Sequence, residues 1–124
     1  MPGPENRRYP RLRPLSPVVL HWRALEGGTG TGTVSNMSPV GCYVLTSAPA
    51  NLGDRVFARL DATLPELDSE VRYLDPDVGM GLEYQGVTEE IRRRLIDFVG
   101  ERTGVALAPP GAGAPGVQSS RLKV

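Results

Sequence analysis

From Val18 onward the chain breaks into short segments of alternating character, roughly ten residues apart, each closed by glycine, proline or asparagine. Val18, Leu20 and Trp22 alternate with Val19, His21 and Arg23, the period of two that a half-buried strand requires. Glu26-Gly27-Gly28-Thr29-Gly30 reads as a turn, and residues 31–36 (TGTVSN) as a second strand pairing back on the first. Ser38-Pro39-Val40-Gly41 is a tight turn in which Gly41 is free to take positive φ. Residues 42–46 make a third strand and residues 48–54 a loop. Val56, Ala58 and Leu60 alternate with Arg55, Phe57 and Arg59 in a fourth strand. A fifth strand surrounds Val71 and Tyr73, Asp75-Pro76-Asp77 turns the chain, and residues 79–84 (GMGLEY) form a sixth.

After Tyr84 the period changes. Thr88 suits a helix N-cap, and Glu89 and Glu90 fall in the first turn, where the helix dipole favours anions. Ile91, Leu95, Phe98 and Val99 make one apolar stripe, Glu89–Arg93 and Glu90–Arg94 are i,i+4 pairs on the wet side, and Gly104 is a stop. The spacing therefore predicts one helix over residues 88–103. Residues 105–124 hold four Ala, three Gly and three Pro, too little apolar surface to order themselves, and are expected to be a disordered tail. Residues 1–14, rich in Pro and Arg, carry no apolar period and are expected to be a flexible arm. Six short strands and a helix over residues 15–104 predict a mainly β domain, a small antiparallel barrel or sandwich with the helix laid over an opening or flank.

Composition narrows the chemistry. With 14 basic against 14 acidic residues there is no global field for a nucleic-acid polymer. One Cys (Cys42) and one His (His21) cannot make a disulfide framework or a Cys/His zinc cluster. No run of 18 apolar residues offers a membrane span, and the start lacks the apolar core of a signal peptide, so a cytoplasmic protein is expected. His21 lies on a strand between Leu20 and Trp22, Cys42 follows a turn as a small core residue, and Asp75 and Asp77 suit turn chemistry. No nucleophile, base and orienting group fall together, and the glycines of 27–32 match no phosphate-binding fingerprint, so neither an enzyme nor a metal site is expected.

Two motifs remain. Arg7, Arg8, Arg11 and Arg13 crowd the arm, with Arg7 and Arg11 spaced R-x-x-x-R. Chance gives about one such pair in this composition, and Arg55/Arg59 on the fourth strand is a second, so the spacing alone decides nothing. Context separates the two: Arg55 and Arg59 occupy a strand face open to solvent, whereas the arm can fold back on a surface. Asn36-Met37-Ser38-Pro39-Val40-Gly41 has the form N-x-S-x-x-G, a pattern that, with Asp or Asn allowed at the first position, is expected by chance in roughly 6% of chains of this composition. It offers an amide, a hydroxyl and a bare backbone at a strand end, features that a plain turn would also use.

An R-x-x-x-R arm before the first strand, N-x-S-x-x-G at the end of the second, six strands and a closing helix together resemble the PilZ domain family. The resemblance covers about residues 5–100. It includes the arm Glu5-Asn6-Arg7-Arg8-Tyr9-Pro10-Arg11 and the last strand within residues 78–84 (VGMGLEY). It implies a PilZ-type six-stranded antiparallel barrel, a bacterial cytoplasmic setting, and binding of the second messenger cyclic di-GMP, with no other cofactor.

Carried over by motif, Arg7 and Arg11 are expected to contact phosphate oxygens and guanine edges and to stack on the bases. Asn36 and Ser38 are expected to hydrogen-bond a guanine or phosphate, and Gly41 to keep the turn open for a base. Arg8 takes one of these roles if the arm shifts by a residue, and otherwise adds field together with Arg13. The protein, a monomer or dimer, would change conformation on binding and signal through an unidentified effector protein, in motility, surface polysaccharide or transcription. A PilZ-like interaction module that does not bind the nucleotide is the alternative. An oligonucleotide-binding barrel would want clustered aromatics, and Trp22, Tyr43, Tyr73 and Tyr84 form no compact local set.

Overall fold

The computed structural model describes residues 9–107. The strands are β1 (Val19–Ala24), β2 (Thr29–Ser38), β3 (Gly41–Leu45), β4 (Arg55–Arg59), β5 (Leu67–Asp75) and β6 (Gly79–Tyr84), followed by helix α1 (Glu89–Thr103). They close into an antiparallel barrel in the order β1-β2-β3-β6-β5-β4. Closure falls between the first and fourth strands, where Trp22 pairs with Ala58 and Ala24 with Val56. Of the two architectures that alternation permits, the barrel is the one formed, and every strand has a neighbour on each side.

Alternation along each strand decides the interior. Leu20, Val34, Cys42, Val44, Val56, Ala58, Val71, Met80 and Leu82 point inward and are almost wholly excluded from solvent. Each fully buried Val, Leu or Met contributes about 1.5–3 kcal/mol through apolar surface removed from water. The ion pairs lie outside: Arg55 grips Asp68 at 2.6 Å and Arg23 grips Glu66 at 3.0 Å, both in the solvated range where such pairs add little. Arg55 and Arg59 therefore occupy the wet face expected of them, and His21 is likewise exposed.

The second strand starts two residues before its predicted beginning. Gly30 belongs to β2, opposite Trp22. A Cβ at Gly30 would stand 2.3 Å from the indole, so this glycine makes room for the ring and is not part of the turn.

Helix α1 begins as its sequence dictates. Thr88 Oγ1 accepts from Ile91 N at 3.2 Å, and Gly104 closes the helix in the left-handed region at φ 77°. Leu95, Phe98 and Val99 join the barrel core and Ile91 packs at its edge. Ile96 and Thr103 are buried too, so the covered face is wider than the stripe of four. Of the two expected i,i+4 pairs, Glu89–Arg93 forms at 3.8 Å; no Glu90–Arg94 ion pair is present among the described residues. Arg102 binds Asp61 at 3.1 Å and lies over the Phe98 ring, tying the end of the helix to the β4–β5 loop. The expected tail lies, from residue 108, outside the described residues. Thr88→Ala removes the only side-chain acceptor of the N-cap and is expected to lower stability by about 1 kcal/mol in a denaturant melt, with the β signal in circular dichroism unchanged.

Candidate functional site

The N-x-S-x-x-G segment forms the β2–β3 hairpin, with Ser38 opposite Gly41 and a two-residue turn between them. Pro39 fixes a negative φ at the first turn position, which excludes both primed turns that match strand twist. Val40 is not left-handed either, and Ser, Pro and Gly at the first, second and fourth positions are the signature of a type I turn. Such a turn needs bracing. Ser38 Oγ accepts from Val40 N at 3.2 Å, Val40 O accepts from Tyr84 N at 3.0 Å, and Arg92 Nη1, reaching over from α1, donates to Pro39 O.

The residues of the motif divide between two roles. A register shift in β2 between Val34 and Asn36 inserts one extra residue. It leaves Asn36 half-exposed in the row that runs through Tyr43, Gly81 and Tyr73 on the barrel exterior. Ser38 is completely buried, with its hydroxyl on Val40 N, so it shapes the turn from inside where direct contact with a ligand was expected. The expectation of positive φ at Gly41 is corrected. Its backbone is not left-handed, and a Cβ there would stand 2.3 Å from Leu82 O, so glycine is required by the close approach of β6.

The described part of the N-terminal arm lies against this corner. Leu12 and Met37 exchange both backbone hydrogen bonds at 2.8 Å, an isolated bridge that adds the arm to the side of β2. Tyr9 is buried, and Leu15 N donates to Arg102 O at 2.8 Å. The arm is expected to be flexible through residue 14, but among the described residues Tyr9 is buried and Arg11, Leu12 and Leu15 are hydrogen-bonded to the barrel and helix. The bridge sets Arg11 beside Asn36, and Arg11 Nη1 donates to Asn36 Oδ1 at 2.9 Å. Arg7 and Arg8 lie outside the described residues, and Arg13 is exposed.

The electrostatics of the corner follow from burial and two guanidinium groups. Burial pushes the Cys42 thiol up to about 11, against the opposing pull of the nearby Tyr84 hydroxyl and the Arg11 charge. Burial also drives the Tyr84 phenol well above its ordinary value, with the Arg11 and Arg92 charges acting against the rise. Arg11 from the arm and Arg92 from the helix thus flank the same spot. Glu83, the acid across from Gly41, is paired with Arg72 at 3.2 Å. A guanidinium presents a planar fork that matches a carboxylate or phosphate.

Among the described residues no group of His, Cys, Asp and Glu could hold a metal ion, and no helix is long and apolar enough to cross a membrane. Two clefts lie away from the corner: about 290 Å³ beside His21, Arg23 and Arg59, and about 430 Å³ beside Glu26, Asn51 and Asp54. Sequence reasoning missed Arg92. The signal was its place in line with Ile96, Val99 and Thr103, a cation on the buried face of an amphipathic helix.

Gly41→Ala is expected to cost about 1–3 kcal/mol, and Gly81→Ala less, because the nearest obstacle at Gly81 is the exposed Tyr73 ring and not backbone. Cys42 is expected to resist iodoacetamide at pH 8 until the protein is unfolded. Its raised folded-state value makes the sign definite: stability is intact below pH 9, falls as pH climbs through 11, and falls less steeply in Cys42→Ala.

Residues 5–101 match the PilZ domain model. No curated protein matches the chain. Among solved structures, the PilZ domain of YcgR from Escherichia coli with c-di-GMP superposes with a TM-score of 0.62 at 17% identity, covering 78% of this chain and 91% of that one. YcgR in complex with c-di-GMP from the same organism gives 0.62 at 15% identity, over 77% of this chain and 45% of that one. The K. pneumonia MrkH–c-di-GMP complex gives 0.58 at 19% identity, over 76% and 51%. The chain therefore spans about half the length of the last two proteins, and at these identities the likeness is one of fold. With the family match running from the arm through most of the helix, over a closed six-stranded barrel, the chain belongs to the PilZ domain family.

Proposed function

We propose that this protein is a receptor for cyclic di-GMP that passes the signal to a partner protein, and that the ligand binds where the arm meets the β2–β3 corner. One observation carries this reading: the Arg11–Asn36 hydrogen bond joins two motifs that are 25 residues apart in sequence. Solved PilZ structures that hold c-di-GMP, those of YcgR and MrkH, support it by likeness of fold.

Cyclic di-GMP presents two phosphates and two guanines. In this reading Arg11 offers its fork to a phosphate or to the O6/N7 edge of guanine, and Arg7 does the same from the segment before Tyr9. Arg8 and Arg13 add positive field. Asn36 accepts from Arg11 through Oδ1, which leaves its amide nitrogen to donate to the ligand. Ser38 and Gly41 hold the turn on which the base rests. Binding changes the conformation of the protein and creates the surface that a partner protein recognises. The role is that of a binding module, not an enzyme, in a bacterial cytoplasm.

Calorimetric titration with cyclic di-GMP tests this. The wild-type protein is expected to bind at micromolar ligand. Arg7→Ala and Arg11→Ala are each expected to weaken binding at least tenfold, since one charge-assisted bond contributes about 1.5–3 kcal/mol. Unchanged affinity in both variants removes the site. The absence of binding by the wild type removes the receptor reading and leaves an interaction module.

A further inference from the structure

We infer that Arg92 is a positioning residue for the ligand corner, fixing from helix α1 the turn on which Asn36 and Gly41 depend; this rests on the reading of that corner as the cyclic di-GMP site. The turn brings its own need for support. Pro39 excludes the primed geometries, so the hairpin does not close by backbone preference alone. Pro39 is also fully buried, and a buried carbonyl left without a donor is destabilising.

Of the three bonds that brace the turn, two come from the barrel itself: Ser38 Oγ to Val40 N, and Tyr84 N to Val40 O. Neither touches Pro39 O. That acceptor is met by Arg92 Nη1, across 53 residues. The cation is half-buried on the face of α1 that carries Ile96, Val99 and Thr103, where an idle charge would lose hydration without return. Arg11 binds Asn36 and Arg92 binds Pro39 O, so the two guanidiniums meet the same hairpin from the arm and from the helix, and both charges act on Tyr84. Arg11 holds Asn36, three residues before the carbonyl that Arg92 holds. Movement of the turn therefore moves the acceptor on which Arg11 depends.

Arg92→Met keeps the volume and removes donor and charge, whereas Arg92→Lys keeps a cationic donor. Both are compared with wild type by amide exchange without ligand and by calorimetry with cyclic di-GMP. In Arg92→Met, exchange at Val40 and Tyr84 is expected to accelerate about tenfold and affinity to fall about tenfold, with Trp22 and Ala58 in the β1–β4 ladder unchanged. Arg92→Lys is expected to recover most of both. Unchanged exchange at Val40 and Tyr84, equal acceleration throughout the barrel, or a lysine variant no better than methionine would each overturn the inference. If wild type fails to bind the nucleotide, the receptor reading has failed, and exchange at Val40 and Tyr84 still decides whether Arg92 sets the corner.

Discussion

A two-residue connection that starts with proline cannot adopt the left-handed geometry that suits a twisted hairpin, and the β2–β3 corner of this barrel is built around that constraint. The turn from Ser38 to Gly41 is held from three sides: by its own serine, by the backbone of β6 and by an arginine of the helix. The glycine that closes it is required because β6 passes too near for a side chain. What is usually the loosest part of a hairpin is thereby fixed. The arm then has a defined surface to pair with, and it uses Met37, in the middle of the motif, to do so.

The barrel supplies the rigidity behind this corner. Closure between β1 and β4 pairs every strand on both sides, so the β2–β3 corner is carried by a continuous ladder. The extra residue in β2 turns Asn36 to the outside, while Met37 and Ser38 next to it are buried. A polar group is thus presented outward from a segment whose neighbours belong to the interior. The helix closes the arrangement: its apolar face enters the core, its end holds the arm at Leu15, and its first turns hold Pro39.

How much of this could be read in advance follows from the range of each interaction. The alternation in β1, the turn signals and the helix from Thr88 to Gly104 are local and prescribe one-sided burial, so they were legible within a residue or two. Gly30 reads as part of a turn because composition cannot show an indole lying over it from the opposite strand. Gly41 was given the wrong reason for the same cause, since Leu82 O lies far along the chain. Both halves of the site were visible as motifs, but their joining through Arg11 and Asn36, and the seating of Leu12 on Met37, are contacts between segments about 25 residues apart. Arg92 was hidden further still, because three arginines in a row at 92–94 look alike in sequence, and only the helix phase shows that the first faces inward.

In the proposed receptor the nucleotide sits on the corner where the arm meets the β2–β3 turn. Titration of isotope-labelled protein with cyclic di-GMP, followed by amide nitrogen–proton NMR, tests it most directly. Saturable shifts are expected to centre on Arg11, Leu12 and the segment from Asn36 to Gly41. Shifts centred instead on the cleft beside His21 and Arg59, or no saturable shift at all, would contradict it.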